Sequence, residues 1–170
     1  MDELELRNMM YTGLQYGHPF MIRYPRGNGA GRLWRGVPFE ALPVGRGRRL
    51  REGTDVALVT VGTVGNAADR AAERAAEKGV SVAHYDLRFV KPLDEALLAE
   101  VGAKFRHVVT VEDGSLRGGV GEAVTAFFNA RGCEVAVHSL GIGDEWVEHG
   151  TPAQLYACLL YTSDAADEED

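Results

Sequence analysis

The chain has 170 residues, 45% of them hydrophobic, and a formal net charge of -7. That length holds one domain, or one domain and a piece of another, and the apolar fraction is ordinary for an α/β chain. The acidic total excludes a general nucleic-acid binder, and no apolar run is long enough to span a membrane.

Asp2 to Gln15 is predicted as a helix. Leu4, Met9, Met10 and Leu14 follow helical spacing, and acids fill the first turn. Gly17 and His18 end it. Pro19 to Tyr24 is predicted as a strand, stopped by Pro25, which has no N–H for a ladder and biases the residue before it to extended geometry. Residues 27–43 are rich in Gly, Arg and Pro, and a loop of that length marks a boundary between two domains. Eight arginines lie between Arg23 and Arg51 against one acid, Glu40. Most of them are expected on a solvated loop, although the run also suits a small anionic ligand.

Val44 to Leu50 is expected as a short edge strand or lead-in. The pattern then becomes regular. Val56 to Val61 is an apolar strand, and Val64 to Lys78 a helix ended by Gly79. Val80 to Asp86 is a strand, and Asp94 caps a helix to about Ala103. Arg106 to Glu112 is the next strand, Gly119 to Arg131 a helix, and Glu134 to Leu140 the last strand. Thr151 and Pro152 open a further helix, since proline suits a first turn. Apolar strands alternating with helices imply a mostly parallel sheet with helices on both faces.

Chemistry-bearing residues are sparse. Cys133 and Cys158 form no C-x-x-C. His18, His84, His107, His138 and His149 show no metal-ligand spacing. His84, His107 and His138 are expected as packed or rim residues. Without a leader sequence, the expected location is cytoplasmic. The stretch Val108 to Gly121 has the strand–glycine loop–helix order that can cradle a phosphate on backbone N–H groups. It lacks the third glycine of G-x-G-x-x-G and has no G-x-x-x-x-G-K-[ST]. The favoured reading is that its glycines allow close helix–sheet packing and a turn with positive φ. Asp86, Arg88, Lys91 and Asp94 imitate an acid/base cluster. Capping by Asp94 and ion pairing by the others are expected instead. Glu112 and Asp113 are expected to be structural or interface groups.

Four stretches carry a family resemblance. They are Arg23-Tyr24-Pro25-Arg26-Gly27-Asn28, the run from Asp86 to Asp94 with Arg88-Phe89-Val90-Lys91-Pro92-Leu93-Asp94, the stretch Val109 to Gly121, and His149-Gly150-Thr151. Their order and spacing resemble the C-terminal part of the 1-deoxy-D-xylulose-5-phosphate synthases, thiamine-diphosphate enzymes of the transketolase superfamily. The first helix fits as well, and the resemblance covers about Asp2 to Ala157. Trp146 and Val147 stand where that family more often has Phe and Ile.

The resemblance implies a division of the chain. Residues 1–28 are the C-terminal remnant, a helix and a strand, of the pyrimidine-binding domain. Residues 29–43 are an interdomain linker, and 44–157 a transketolase C-terminal domain. The family condenses pyruvate with D-glyceraldehyde 3-phosphate, releasing CO2, to give 1-deoxy-D-xylulose 5-phosphate for isoprenoid and thiamine biosynthesis. It acts as a homodimer with thiamine diphosphate and Mg²⁺. The G-D-G metal motif and the activating glutamate lie upstream of the matched region, so this chain alone is expected to bind no cofactor and to be inactive. By the same resemblance Arg26 holds the phosphate of the triose. A guanidinium matches phosphate oxygens bidentately. Arg23 is the runner-up, placed by strand alternation on the face opposite Ile22 and Tyr24, where it is expected to pair at a domain face.

Residues 158–170 do not resemble the family. They look like a transposon-end sequencing adapter translated into an open frame, and are expected to be a non-native tail. Other readings are the C-terminal domain of another thiamine enzyme, such as an E1 β chain or a split transketolase half, and a non-catalytic module for phosphate binding or dimerisation.

Overall fold

A computed structural model describes residues 1–151, 154 and 155. The expected helix from Pro152, Cys158 and the tail 158–170 lie outside the described residues, apart from Gln154 and Leu155, which are helical.

Helix α1 (Glu3–Gln15) comes first, with the Asp2 carboxylate accepting from Glu5 N as its cap. The regular α/β part follows: β1 (Arg48–Arg51), β2 (Val56–Val61), α2 (Gly65–Glu77), β3 (Val82–Asp86), α3 (Glu95–Lys104), β4 (His107–Ser115), α4 (Val120–Ala130) and β5 (Ala136–Ile142). The five strands form one sheet in the order β1-β3-β2-β4-β5. The β3–β2, β2–β4 and β4–β5 pairs are parallel, while β1 runs antiparallel on the edge. The boundaries agree with hydrophobic patterning to within a few residues, and Asp94 caps α3 by accepting from Leu97 N at 3.0 Å.

Strand alternation sends consecutive residues of β2 to opposite faces. Ala57 and Val59 join Ala83, Tyr85 and Val108 beneath α3 and α4, which contribute Leu98, Val101, Val120, Val124 and Phe128. Leu58 and Val111 meet Ala68 of α2 on the other face. Helices therefore cover both faces. Burying a Val, Leu or Phe side chain is worth about 1.5–3 kcal/mol, so the α3–α4 face, with Phe105 and Phe128 almost fully buried, dominates the core.

Two expectations from the N-terminal segment need correction. Residues 19–24 carry no regular secondary structure and belong to no strand. A strand exists only through ladder hydrogen bonds, and none of the five strands pairs with this segment. Its Phe20 ring instead packs edge-on to Phe89, with centroids 6.3 Å apart. The apolar residues of α1 do not form its buried face either. Leu14 is 87% exposed and Met10 56%, whereas the residues buried from α1 are Glu5, Asn8 and Thr12.

That buried stripe is polar at the spacing i, i+3, i+7, one helix face, and every member finds a partner. The Thr12 hydroxyl accepts from Leu42 N at 2.8 Å and donates to Asn8 O at 2.7 Å. Asn8 Oδ1 accepts from Glu40 N. Arg7 beside it ties down the following loop, donating to the carbonyls of Trp34, Val37 and Pro38 at 2.7–2.8 Å. Its guanidinium lies 4.5 Å from the Phe39 ring centroid. Glu3 accepts from Gly31 N at 2.8 Å. The loop 29–43 is thus a strap on α1 rather than a free tether.

Candidate functional site

The turn after β4 is the first place to look for an anion site. Its N–H groups already have an anion. The Glu112 carboxylate accepts from Val120 N through Oε2 and from Gly121 N through Oε1, both at 2.9 Å. Helix α4 has no capping side chain at its own N-cap, Gly119, so a carboxylate from the preceding strand takes that role. It also complements the positive end of the helix. The glycines make room for it. A Cβ on Gly119 would overlap the Ser115 carbonyl and the Glu112 carboxylate, and one on Gly121 would overlap the Ser139 hydroxyl. Gly118 has φ +70°, which favours glycine. Close packing and turn geometry account for the motif, and a diphosphate would have to displace Glu112 from it.

The segment carrying Arg26 lies against the same turn. Arg23 Nη2 donates to the backbone carbonyl of Asp113 at 2.6 Å. Arg23 thus pairs across to the α/β part, as expected, although by a route other than strand alternation. It brings the segment to the carboxyl end of β4, the end at which open α/β sheets present ligand sites. Three residues on, Arg26 is exposed and makes no hydrogen bond or ion pair with another described residue. The next residue, Gly27, has φ +155° and nothing within 4 Å of a Cβ position, so the approach is open.

The other arginines are mostly committed, which corrects the solvated-loop expectation. Arg46 pairs with Asp94, Arg49 with Glu52 and Glu100, and Arg51 with Asp69 and Glu73. Arg48 binds Asp86 through Nε at 3.1 Å and Nη2 at 2.9 Å, and reaches Glu5 at 2.8 Å. Glu5 also pairs with Arg88 at 2.7 Å, and Asp86 accepts from Arg88 N at 3.1 Å. These two acids and two arginines cross between α1 and the sheet. Arg88 itself has φ +57°, a conformation uncommon outside glycine. Asp86 and Arg88 are therefore ion-paired as expected, while Lys91 is exposed and forms no ion pair among the described residues. Sequence reasoning missed Glu5, Arg7 and the carboxylate of Glu112 as organising groups. The signal for Glu112 was present: an acid ends an apolar strand just before the glycines.

His84 is fully buried on β3, with Nε2 2.9 Å from the Thr60 hydroxyl and Nδ1 3.4 Å from Asp69 Oδ1. Burial lowers its pKa from the ordinary value of 6.5, against the opposing hydrogen bond and charge of Asp69. For Asp69, desolvation works against ionisation, but hydrogen bonds from His84 and Arg51 outweigh it and its pKa is lowered. This group is a network that ties β3 to β2 and α2. No cluster of three or more His, Cys, Asp or Glu among the described residues is arranged to hold a metal ion. No described helix is long and apolar enough to cross a membrane.

The fold and this site define an α/β domain with a mostly parallel five-stranded sheet, docked through a polar seam to one helix and its strap. The profile of the transketolase C-terminal domain matches residues 45–165, and the chain belongs to that family. Among curated proteins it is similar to the 1-deoxy-D-xylulose-5-phosphate synthase of Bacteroides fragilis. The two are 53% identical over 158 residues, covering 92% of this chain and 24% of that protein. The Bacteroides thetaiotaomicron synthase is 48% identical over 99% of this chain and 26% of its own length. The synthase of Symbiobacterium thermophilum is 44% identical over 90% and 24%. The chain spans about a quarter of the length of these relatives. Among solved structures, a split gene transketolase described as an inactive beta4 tetramer superposes with a TM-score of 0.66. It has 31% identity and covers 71% of this chain and 39% of that one.

Proposed function

We propose that this chain is the C-terminal portion of a 1-deoxy-D-xylulose-5-phosphate synthase. In this reading the parent condenses pyruvate with D-glyceraldehyde 3-phosphate, releases CO2, and feeds isoprenoid and thiamine synthesis. The observation that carries it is 53% identity to such a synthase across 92% of the chain. The Bacteroides thetaiotaomicron synthase matches 99% of the chain, which takes in the helix and strap that precede the family's C-terminal domain. Thiamine diphosphate and Mg²⁺ are assigned to the upstream domains. The residues present here do not suit the cofactor, because the anion-binding helix end is taken by Glu112. The exposed apolar side chains of α1 and of the segment after it, Leu14, Met21 and Tyr24 among them, suit burial against those domains or a second subunit. A cytoplasmic homodimer is the assembly this reading calls for.

Within it, Arg26 holds the phosphate of the acceptor triose. Its support is chemical: an arginine without a partner among the described residues, beside an open glycine, three residues after the Arg23 that reaches the carboxyl end of β4. Remote phosphate binding positions the reacting aldehyde. Losing one charged hydrogen-bond partner costs about 1.5–3 kcal/mol. In a full-length synthase carrying this sequence, Arg26→Ala is therefore expected to raise KM for D-glyceraldehyde 3-phosphate about 10- to 150-fold. KM for pyruvate should change little. Equal effects on the two substrates would remove the assignment.

The likeness to a split transketolase favours a second reading, the C-terminal part of another transketolase-type enzyme. Its 31% identity is the weaker support beside 53%.

A further inference from the structure

We propose that Arg23 is a positioning residue for acceptor binding: it seats the Arg26 segment on the β4–α4 turn and does not itself hold the substrate phosphate. The inference rests on the reading of Arg26 as the phosphate-binding residue.

The segment has few other constraints. Residues 19–27 have no ladder partner, and Met21 is 96% exposed. Phe20 anchors one end by packing on Gly13 and Phe89. Beyond it, the bond from Arg23 Nη2 to the Asp113 carbonyl ties this segment to the sheet. Its acceptor is held rigidly. Asp113 follows Glu112, whose carboxylate is fixed by two α4 N–H groups, and Leu116 N donates to Ile142 O at 2.8 Å on the far side of the turn. A Cβ on Gly114 would come within 3.1 Å of Glu112 Oε2 and 3.9 Å of Arg23 Nη1, so the guanidinium is seated beside this turn. From there to Arg26 is three residues, two of them Tyr24 and the φ-restricted Pro25. Fixing Arg23 therefore limits where the Arg26 guanidinium can go.

The two arginines thus have different chemical demands. Arg23 needs one donor at one carbonyl, which an ammonium can also supply. Arg26 needs the planar fork that lysine lacks.

The test is a double-mutant cycle in a full-length synthase carrying this sequence, with KM for D-glyceraldehyde 3-phosphate and for pyruvate measured separately. Arg23→Ala is expected to raise the triose KM about three- to tenfold and leave pyruvate unchanged. Arg23→Lys should restore most of the loss, whereas Arg26→Lys should not. In an Arg26→Ala background the Arg23→Ala effect should vanish, because its route to substrate is gone. Additive effects would mean that Arg23 touches the phosphate itself, and would overturn the proposal. So would a loss that Arg23→Lys fails to recover, or one shared equally by both substrates. If Arg26→Ala alone shows no selectivity for the triose, the phosphate reading fails first, and that result is visible before any Arg23 variant is compared. Arg23→Lys also covers the case in which Arg23→Ala does not fold.

Discussion

Glu112 explains at the level of one side chain why a glycine-rich turn is not a nucleotide site here. Its two carboxylate oxygens take the N–H groups of Val120 and Gly121 that an incoming phosphate would need. Removing them leaves buried donors with no acceptor, a cost of about 1–3 kcal/mol for each. Glu112→Ala is therefore expected to destabilise the chain by roughly 2–6 kcal/mol. Glu112→Gln should cost less, because one acceptor oxygen remains. Denaturant midpoints at constant m-value read this directly. A Glu112→Ala midpoint equal to the wild type would mean that the carboxylate does not cap α4. Sequence showed the glycines and the acid before them but not that the two are partners, since capping by a side chain from the preceding strand follows no fixed spacing.

At the scale of elements, the sheet and all four helices, α1 included, were legible, whereas the packing of the N-terminal segment was not. Hydrophobic patterning placed β2, α2, β3, α3 and α4 because each buries an apolar face in one of the two core clusters that sandwich the sheet. Helix α1 breaks that rule. Its buried face is Glu5, Asn8 and Thr12, made possible by specific partners at Arg48, Arg88 and Leu42. Apolar spacing cannot forecast such a face. Likewise residues 19–24 have strand composition but no neighbouring strand, and composition does not supply a ladder. The network on β3 makes a further claim. His84 links β3 to Thr60 of β2 and to Asp69 of α2, which holds Arg51 of β1, while Asp86 also bears on the imidazole. Because the folded chain lowers the pKa of His84, the unfolded chain binds the extra proton first. Stability is then full above about pH 6.5 and falls as pH drops toward the folded value, by at most about 1.4 kcal/mol per pH unit. The thermal midpoint should decline between pH 7.5 and 5.5, and His84→Gln should flatten that decline. Equal slopes in the two proteins would show that His84 is not its source.

For the whole molecule, the described residues hold an α/β core packed on both faces of the sheet and leave several apolar side chains exposed. The central strands bury most of their apolar residues, while Leu14, Met21, Tyr24 and Leu33 are exposed in the N-terminal segment, as are Leu50, Leu140 and Trp146 in the α/β part. These exposed apolar side chains agree with a chain that spans about a quarter of the synthases it matches. The family was readable from Arg-Phe-Val-Lys-Pro-Leu-Asp and its neighbours because those residues sit at turns with defined jobs. Asp86 and Arg88 join the seam, and Asp94 caps α3. The role of Arg26 was suggested by the same resemblance, and its guanidinium has no partner among the described residues, on a segment tethered through Arg23. The most direct measurement of the central claim compares this chain with a full-length synthase that carries it. Each is supplied with pyruvate, D-glyceraldehyde 3-phosphate, thiamine diphosphate and Mg²⁺, and CO2 and sugar phosphate are quantified. The full-length protein should release CO2 in equal amount with 1-deoxy-D-xylulose 5-phosphate, and the isolated chain should release neither. Turnover by the isolated chain, or a full-length protein that makes no 1-deoxy-D-xylulose 5-phosphate, would contradict the account.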